Sequence, residues 1–122
     1  MQGLEILDYT GEGYNATMHF EAWRVAFLNH AERFDVIARL ERHMLTDEVF
    51  VLLKGRAVLF IGEDAEAVEM DWGKIYNIKQ SVWHAIKVTP DAKVLIVENH
   101  NTNKDNTEYM DIDPAIAAKV EL

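Results

Sequence analysis

The feature that most constrains this chain is its rhythm: short β-forming segments recur along its middle, each closed by a turn signal within a few residues. Trp23 to Leu28 is rich in β-formers, and Phe34 to Leu40 alternates apolar and polar residues in part. Val49 to Leu53 is a continuous apolar run ended by Lys54-Gly55, which reads as a strand buried on both faces. Ala57 to Ile61 follows after Gly55-Arg56, at hairpin spacing. Gly62 to Ala65 turns the chain into Ala67 to Met70, and Asp71-Trp72-Gly73 turns it again into Ile75 to Ile78. Trp83 to Val88, a turn at Thr89-Pro90-Asp91, and Lys93 to Glu98 complete the series. Segments this short and this regularly punctuated predict an all-β sandwich or barrel.

The 122 residues suffice for one domain and not for two separate cores. The predicted core spans residues 23–98. Beyond it, His100 to Glu108 is polar and turn-rich and reads as a long loop opening a mobile tail. Pro114 to Val120, with Asp113 as cap, predicts a short C-terminal helix.

Charge narrows the partners. The formal net charge is −9, from 21 acidic against 12 basic residues, with no local Lys/Arg cluster to offset it. That balance disfavours nucleic acid and anionic membrane surfaces. No apolar run reaches the length of a membrane span, and the N-terminus lacks the basic start and apolar stretch of a signal peptide. The chain contains no cysteine, so it has neither disulfides nor thiolate ligands, and the expectation is a cytoplasmic protein.

The chemistry concentrates in Arg39-Leu40-Glu41-Arg42-His43 and in Glu48, with His84 far along the chain. On a strand alternate side chains share a face, so Arg39, Glu41 and His43 point the same way. A strand opening at Glu48 and returning alongside the first would bring that carboxylate to them. Parity places His84 with Ile86 and puts Trp83 and Lys87 on the other face. Phe50 and Tyr76 are candidates to line a cavity, while Trp23, Trp72 and Trp83 read as core or interface aromatics. His19, His30 and His100 read as surface or structural residues.

The spacing Glu41-x-His43, four residues, Glu48, six residues, Gly55 resembles the first motif of the cupin superfamily, in which two histidines stand one residue apart. The segment Asn77 to His84 resembles the second cupin motif. Two departures stand out: Glu41 replaces the first histidine, and Lys79 and Ser81 stand where a proline and a glycine precede the last one. The resemblance implies a double-stranded β-helix, or jelly roll. It also implies a divalent metal (Mn, Fe, Zn or Ni) held by Glu41, His43, Glu48 and His84. Two imidazoles and two carboxylates are a sound donor set for such ions. Glu41 or Glu48 would then serve as the proton-transferring carboxylate, and Arg39 could hold a substrate carboxylate or phosphate.

Two readings stay open at this point. One is a metal-dependent enzyme acting on a small polar or carboxylate ligand, with isomerase, lyase and dioxygenase chemistries all within the resemblance. The other is a metal-free binding or sensing module in which Arg39, Glu41, His43 and Glu48 satisfy one another. A structural dimer with a vestigial cavity ranks third. A homodimer is expected, with Leu4 to Tyr9 or Trp23 to Leu28 as the contact strand.

Overall fold

The structure, a computed structural model, describes residues 2–122. Ten strands run in chain order: β1 (Gly13–Phe20), β2 (Trp23–Asn29), β3 (Arg39–His43), β4 (Glu48–Lys54) and β5 (Ala57–Ile61), then β6 (Glu66–Glu69), β7 (Tyr76–Ile78), β8 (His84–Val88), β9 (Lys93–Asn99) and β10 (Thr107–Asp111). One helix, α1 (Ala115–Ala118), follows. The strands form two five-stranded sheets, in the orders β1-β2-β9-β4-β7 and β10-β3-β8-β5-β6, and the paired strands run antiparallel. This is the all-β class that the turn rhythm predicts, in the jelly-roll form that the resemblance implies.

The sheets face each other across one apolar core. Phe50, Leu52, Ile78, Val94 and Ile96 come from the first sheet, and Ala57, Leu59 and Val88 from the second. Alternation does the sorting: Val94 and Ile96 point inward while Leu95 and Val97 between them stay half-buried. The second sheet is also covered on its outer face. Val58 and Phe60 pack there with Leu40, Ile37 and Ala117, and with Met110, Ile112 and Val120 of the C-terminal segment. The strand buried on both faces is therefore β5, not β4, whose Val49 and Val51 are half-exposed.

Several sequence expectations fail for identifiable reasons. The Gly55-Arg56 connection is not a hairpin, because β4 and β5 lie in different sheets and the chain crosses the core between them. Gly55 (φ +74°) makes that crossing, and a Cβ there would stand 2.6 Å from the Ala92 Cα. The polar segment 100–108 is not a simple loop. It folds into a capped 3-10 turn and opens β10, which pairs with β3 along its whole length. Residues 34–38 precede β3 without joining it. Leu4 to Tyr9 is not a strand, and β2 is an interior strand between β1 and β9, so neither offers the free edge expected of a dimer contact. The predicted helix is present as the single turn α1. Among the described residues, no helix is long and apolar enough to cross a membrane.

Candidate metal centre

Three strands and two sheets supply the site. His43 ends β3, Glu48 opens β4 and His84 opens β8, so each functional side chain stands at a strand end on the inward face. Glu48 does not lie alongside Glu41 and His43 on a neighbouring strand, as the local reading requires. β3 and β4 belong to opposite sheets, and Glu48 meets the histidines across the barrel interior. Backbone and side-chain ties hold the three ends together. The Ser81 N–H donates to the His43 carbonyl at 2.9 Å. Asp47 accepts from the Gln80 N–H at 2.8 Å and from Asn77 at 3.0 Å, joining the turn before Glu48 to the turn before His84. Ser81 itself sits at φ +67°, a left-handed conformation that glycine adopts more readily than a residue with a Cβ.

The donor atoms converge. Glu48 Oε1 lies 2.9 Å from His84 Nε2 and 3.2 Å from His43 Nε2, and Glu41 Oε1 lies 3.7 Å from both ring nitrogens. His43, Glu48 and His84 are buried, whereas Glu41 is only partly covered at the mouth. The far side of each ring is already engaged. His84 Nδ1 is 3.0 Å from the Val82 carbonyl, to which it donates, and His43 Nδ1 is 2.9 Å from Thr107 Oγ1. Such contacts fix ring orientation and turn Nε2 into the cavity, as around metal-ligating histidines. Despite their proximity, His43 Nε2, His84 Nε2 and Glu48 Oε1 are buried without an aligned hydrogen-bond partner. Leaving buried polar atoms orphaned is costly, and three orphans aimed at one point fit a cation. Two imidazole nitrogens with one or two carboxylates suit Zn²⁺, Mn²⁺, Fe²⁺ or Ni²⁺.

The electrostatics agree. Burial opposes charge on His43 and His84, but close contact with the Glu48 carboxylate outweighs it and raises both imidazoles above their ordinary value. Burial likewise opposes charge on Glu48, yet the two imidazoles hold it well below the usual carboxylate range.

The sequence reading missed a fourth buried group. Glu98, at the end of β9, lies beside Glu48, and burial together with that neighbouring charge pushes its carboxyl up to about 8. Arg24 Nη2 reaches it at 2.5 Å and Tyr14 Oη donates to it at 3.2 Å. Parity could have found it, because Val94, Ile96 and Glu98 share one face of a strand whose other inward positions are apolar. Thr107 and Tyr109 escaped because the segment holding them reads as a loop and the start of a tail.

A cavity of about 330 Å³ opens over these groups, lined further by Phe50, Ile96, Thr102 and Tyr109. Arg39 is not among its walls. It stands exposed in an adjacent groove, its guanidinium carbon 4.0 Å above the Tyr109 ring, and pairs with none of the site's glutamates. Phe50 lines the cavity, while Tyr76 faces elsewhere. Trp83 lies on the outer face under Arg42, as parity predicts. His19 and His100 are exposed and stack on each other with ring centres 3.8 Å apart, outside the cavity lining, and His30 pairs with Asp35.

An antiparallel double-sheet barrel with these strand orders is the cupin fold. No protein-family profile matches the sequence, and no curated protein does. The fold has clear counterparts among solved structures. The Streptomyces protein PAC13, described as a nucleoside dehydratase and solved with uridine, superposes with a TM-score of 0.65 at 9% identity, over 88% of this chain and 87% of that one. A cupin-2 domain protein from Shewanella frigidimarina gives 0.59 at 17% identity, over 75% and 85%. A protein from Neisseria meningitidis, NMB1881, gives 0.54 at 12% identity, over 77% and 88%.

Proposed function

We propose that this protein binds a divalent transition metal through His43, His84 and Glu48 and performs proton-transfer chemistry, of lyase or isomerase type, on a small polar substrate. The observation that carries the reading is the convergence of three buried donor atoms, none with an aligned hydrogen bond, at one point of the barrel interior. Bound there, the ion would supply Lewis-acid polarisation of a substrate oxygen. The chain's own groups do the rest. Glu41, partly exposed at the mouth and 3.7 Å from both ring nitrogens, is placed either to complete the donor set or to take a proton from substrate. Glu98, whose carboxyl stays protonated to about 8, holds a proton that a leaving group could accept. Phe50, Ile96 and Tyr109 give the cavity apolar walls that limit water at the reacting atoms. The barrel shared with a nucleoside dehydratase supports elimination of water as a chemistry this scaffold tolerates.

The test is elemental analysis of protein purified without a metal-chelating tag, before and after reconstitution. The expected result is about one transition metal per chain, lost in His84→Ala and His43→Ala. Glu48 at 2.9 and 3.2 Å from the two imidazoles also suits a metal-free carboxylate bridging two imidazolium rings, the arrangement of a binding module. Protein that stays metal-free after reconstitution selects that second reading. We also propose a homodimer, joined through the free edge of β1 rather than the segments named from sequence. Light scattering that shows only a 14.0 kDa particle at micromolar concentration removes it.

A further inference from the structure

We propose that the groove beside the metal centre is an oxyanion subsite, in which Arg33 and Arg39 hold a carboxylate or phosphate borne by the substrate. The proposal deepens the small-substrate reading above. The groove, about 280 Å³, shares Glu41 and His84 with the main cavity, so one ligand can occupy both. Its walls carry Arg33 and Arg39, and Arg33 lines the main cavity as well.

The pairing pattern sets these two arginines apart. Arg24, Arg42 and Arg56 each bind a glutamate, at 2.5, 2.5 and 2.7 Å. Among the described residues, neither Arg33 nor Arg39 has a carboxylate within ion-pair distance or donates a side-chain hydrogen bond, although the chain carries 21 acidic residues. Neutralising a neighbour is the ordinary role of such an arginine. Here Glu41, on the same face two residues along from Arg39, contacts the histidines instead.

Each guanidinium is also held by an aromatic ring. The Arg33 guanidinium carbon stands 4.6 Å above Phe34, and that of Arg39 stands 4.0 Å above Tyr109. The ring restrains each cationic head, and the N–H donors that no carboxylate takes are left for planar or tetrahedral oxyanions. Gly13 gives Arg33 its seat, since a Cβ there would come within 2.5 Å of Arg33 Nη2. The subsite also answers an electrostatic difficulty. Glu41, partly exposed at the mouth, would repel an anionic substrate, and two unpaired cations at the rim draw its charged end to one side. Two residues along a strand span roughly 7 Å, so the anion and the reacting atom belong to one small molecule a few bonds long.

The experiment is an NMR titration of the arginine Nε–Hε resonances in chelator-treated protein, with inorganic phosphate and, separately, sodium acetate replacing chloride at constant ionic strength. The Arg33 and Arg39 resonances should move together and saturate, while those of Arg42 and Arg56 stay still. Arg33→Gln and Arg39→Gln should each weaken binding about tenfold, the effect of losing a charge-assisted contact. Both side chains are exposed, so the variants should keep the wild-type spectrum elsewhere. Tighter phosphate than acetate points to a phosphate ester as substrate, and the reverse to a carboxylic acid. Absence of saturable shifts, or affinity unchanged in the double variant, overturns the proposal. So does binding abolished by His84→Ala alone, which would put the anion on the imidazoles. Because the protein is metal-free throughout, failure of the metal reading leaves this measurement intact.

Discussion

Strands β4, β8 and β9 each change chemistry along their own length. β4 presents Glu48 inward and continues with Phe50 and Leu52; β8 presents His84, then Ile86 and Val88; β9 runs from Val94 and Ile96 to Glu98. One half of the barrel interior is thus a close-packed apolar core, and the other is a cluster of charged groups with unpartnered atoms. The backbone is the same in both halves and only the inward side chains differ. Stability and function are therefore divided by position along the strands: the apolar half holds the sheets together, and the polar half is affordable because it sits at the open end.

The largest effect expected from that division lies in the apolar half. Leu52, 1% exposed, should lose about 2–5 kcal/mol of folding stability as Leu52→Ala, read from the urea midpoint. A loss well under 1 kcal/mol would mean that the apolar half does not carry the fold.

A smaller effect probes how the polar half is held. Thr107→Val removes the group that meets His43 Nδ1 at 2.9 Å and should weaken metal affinity about tenfold in chelator competition, with the fold unchanged. An unchanged affinity would show that packing alone orients the ring.

A third test concerns pH and is measured on metal-free protein. His43 and His84 are raised above the ordinary imidazole value of 6.5, so their stabilisation is full below 6.5 and fades as pH climbs through the folded-state values. Glu98, raised from 4.5 to about 8, acts in the same direction, because the native state keeps a proton that the unfolded chain has released. Glu48 is lowered, so its contribution is present above 4.5 and is lost on acidification below that. The melting temperature should peak in mildly acidic buffer and decline toward pH 8, with a shallower decline in Glu98→Gln. A flat profile would mean that the polar half is uncoupled from folding.

Much of this could be read locally. Alternation and turn residues predict most strands from Trp23 to Glu98, because side-chain period and glycine or proline conformation depend on near neighbours. The inward parity of Glu41, His43 and His84 follows in the same way. Strand β10 did not, since Asn101 to Asn106 give its start a turn-rich signature and Thr107 to Asp111 form a strand only by pairing with β3. Glu98 was visible in the parity of β9, but a single glutamate closing an apolar strand resembles a solvated end until Glu48 stands opposite.

What the sequence determined by itself is most of the strands between Trp23 and Glu98 and which of their residues share a face, because those depend on backbone period alone. What only the tertiary structure decided is which strands pair. The crossing at Gly55 sends β4 and β5 to different sheets, so Glu48 reaches His43 and His84 across the interior rather than from a neighbouring strand. It also decided that Arg39 faces a groove beside the cavity, where an aromatic ring from β10 fixes its place. Such outcomes rest on contacts between residues tens of positions apart, and no local pattern records them.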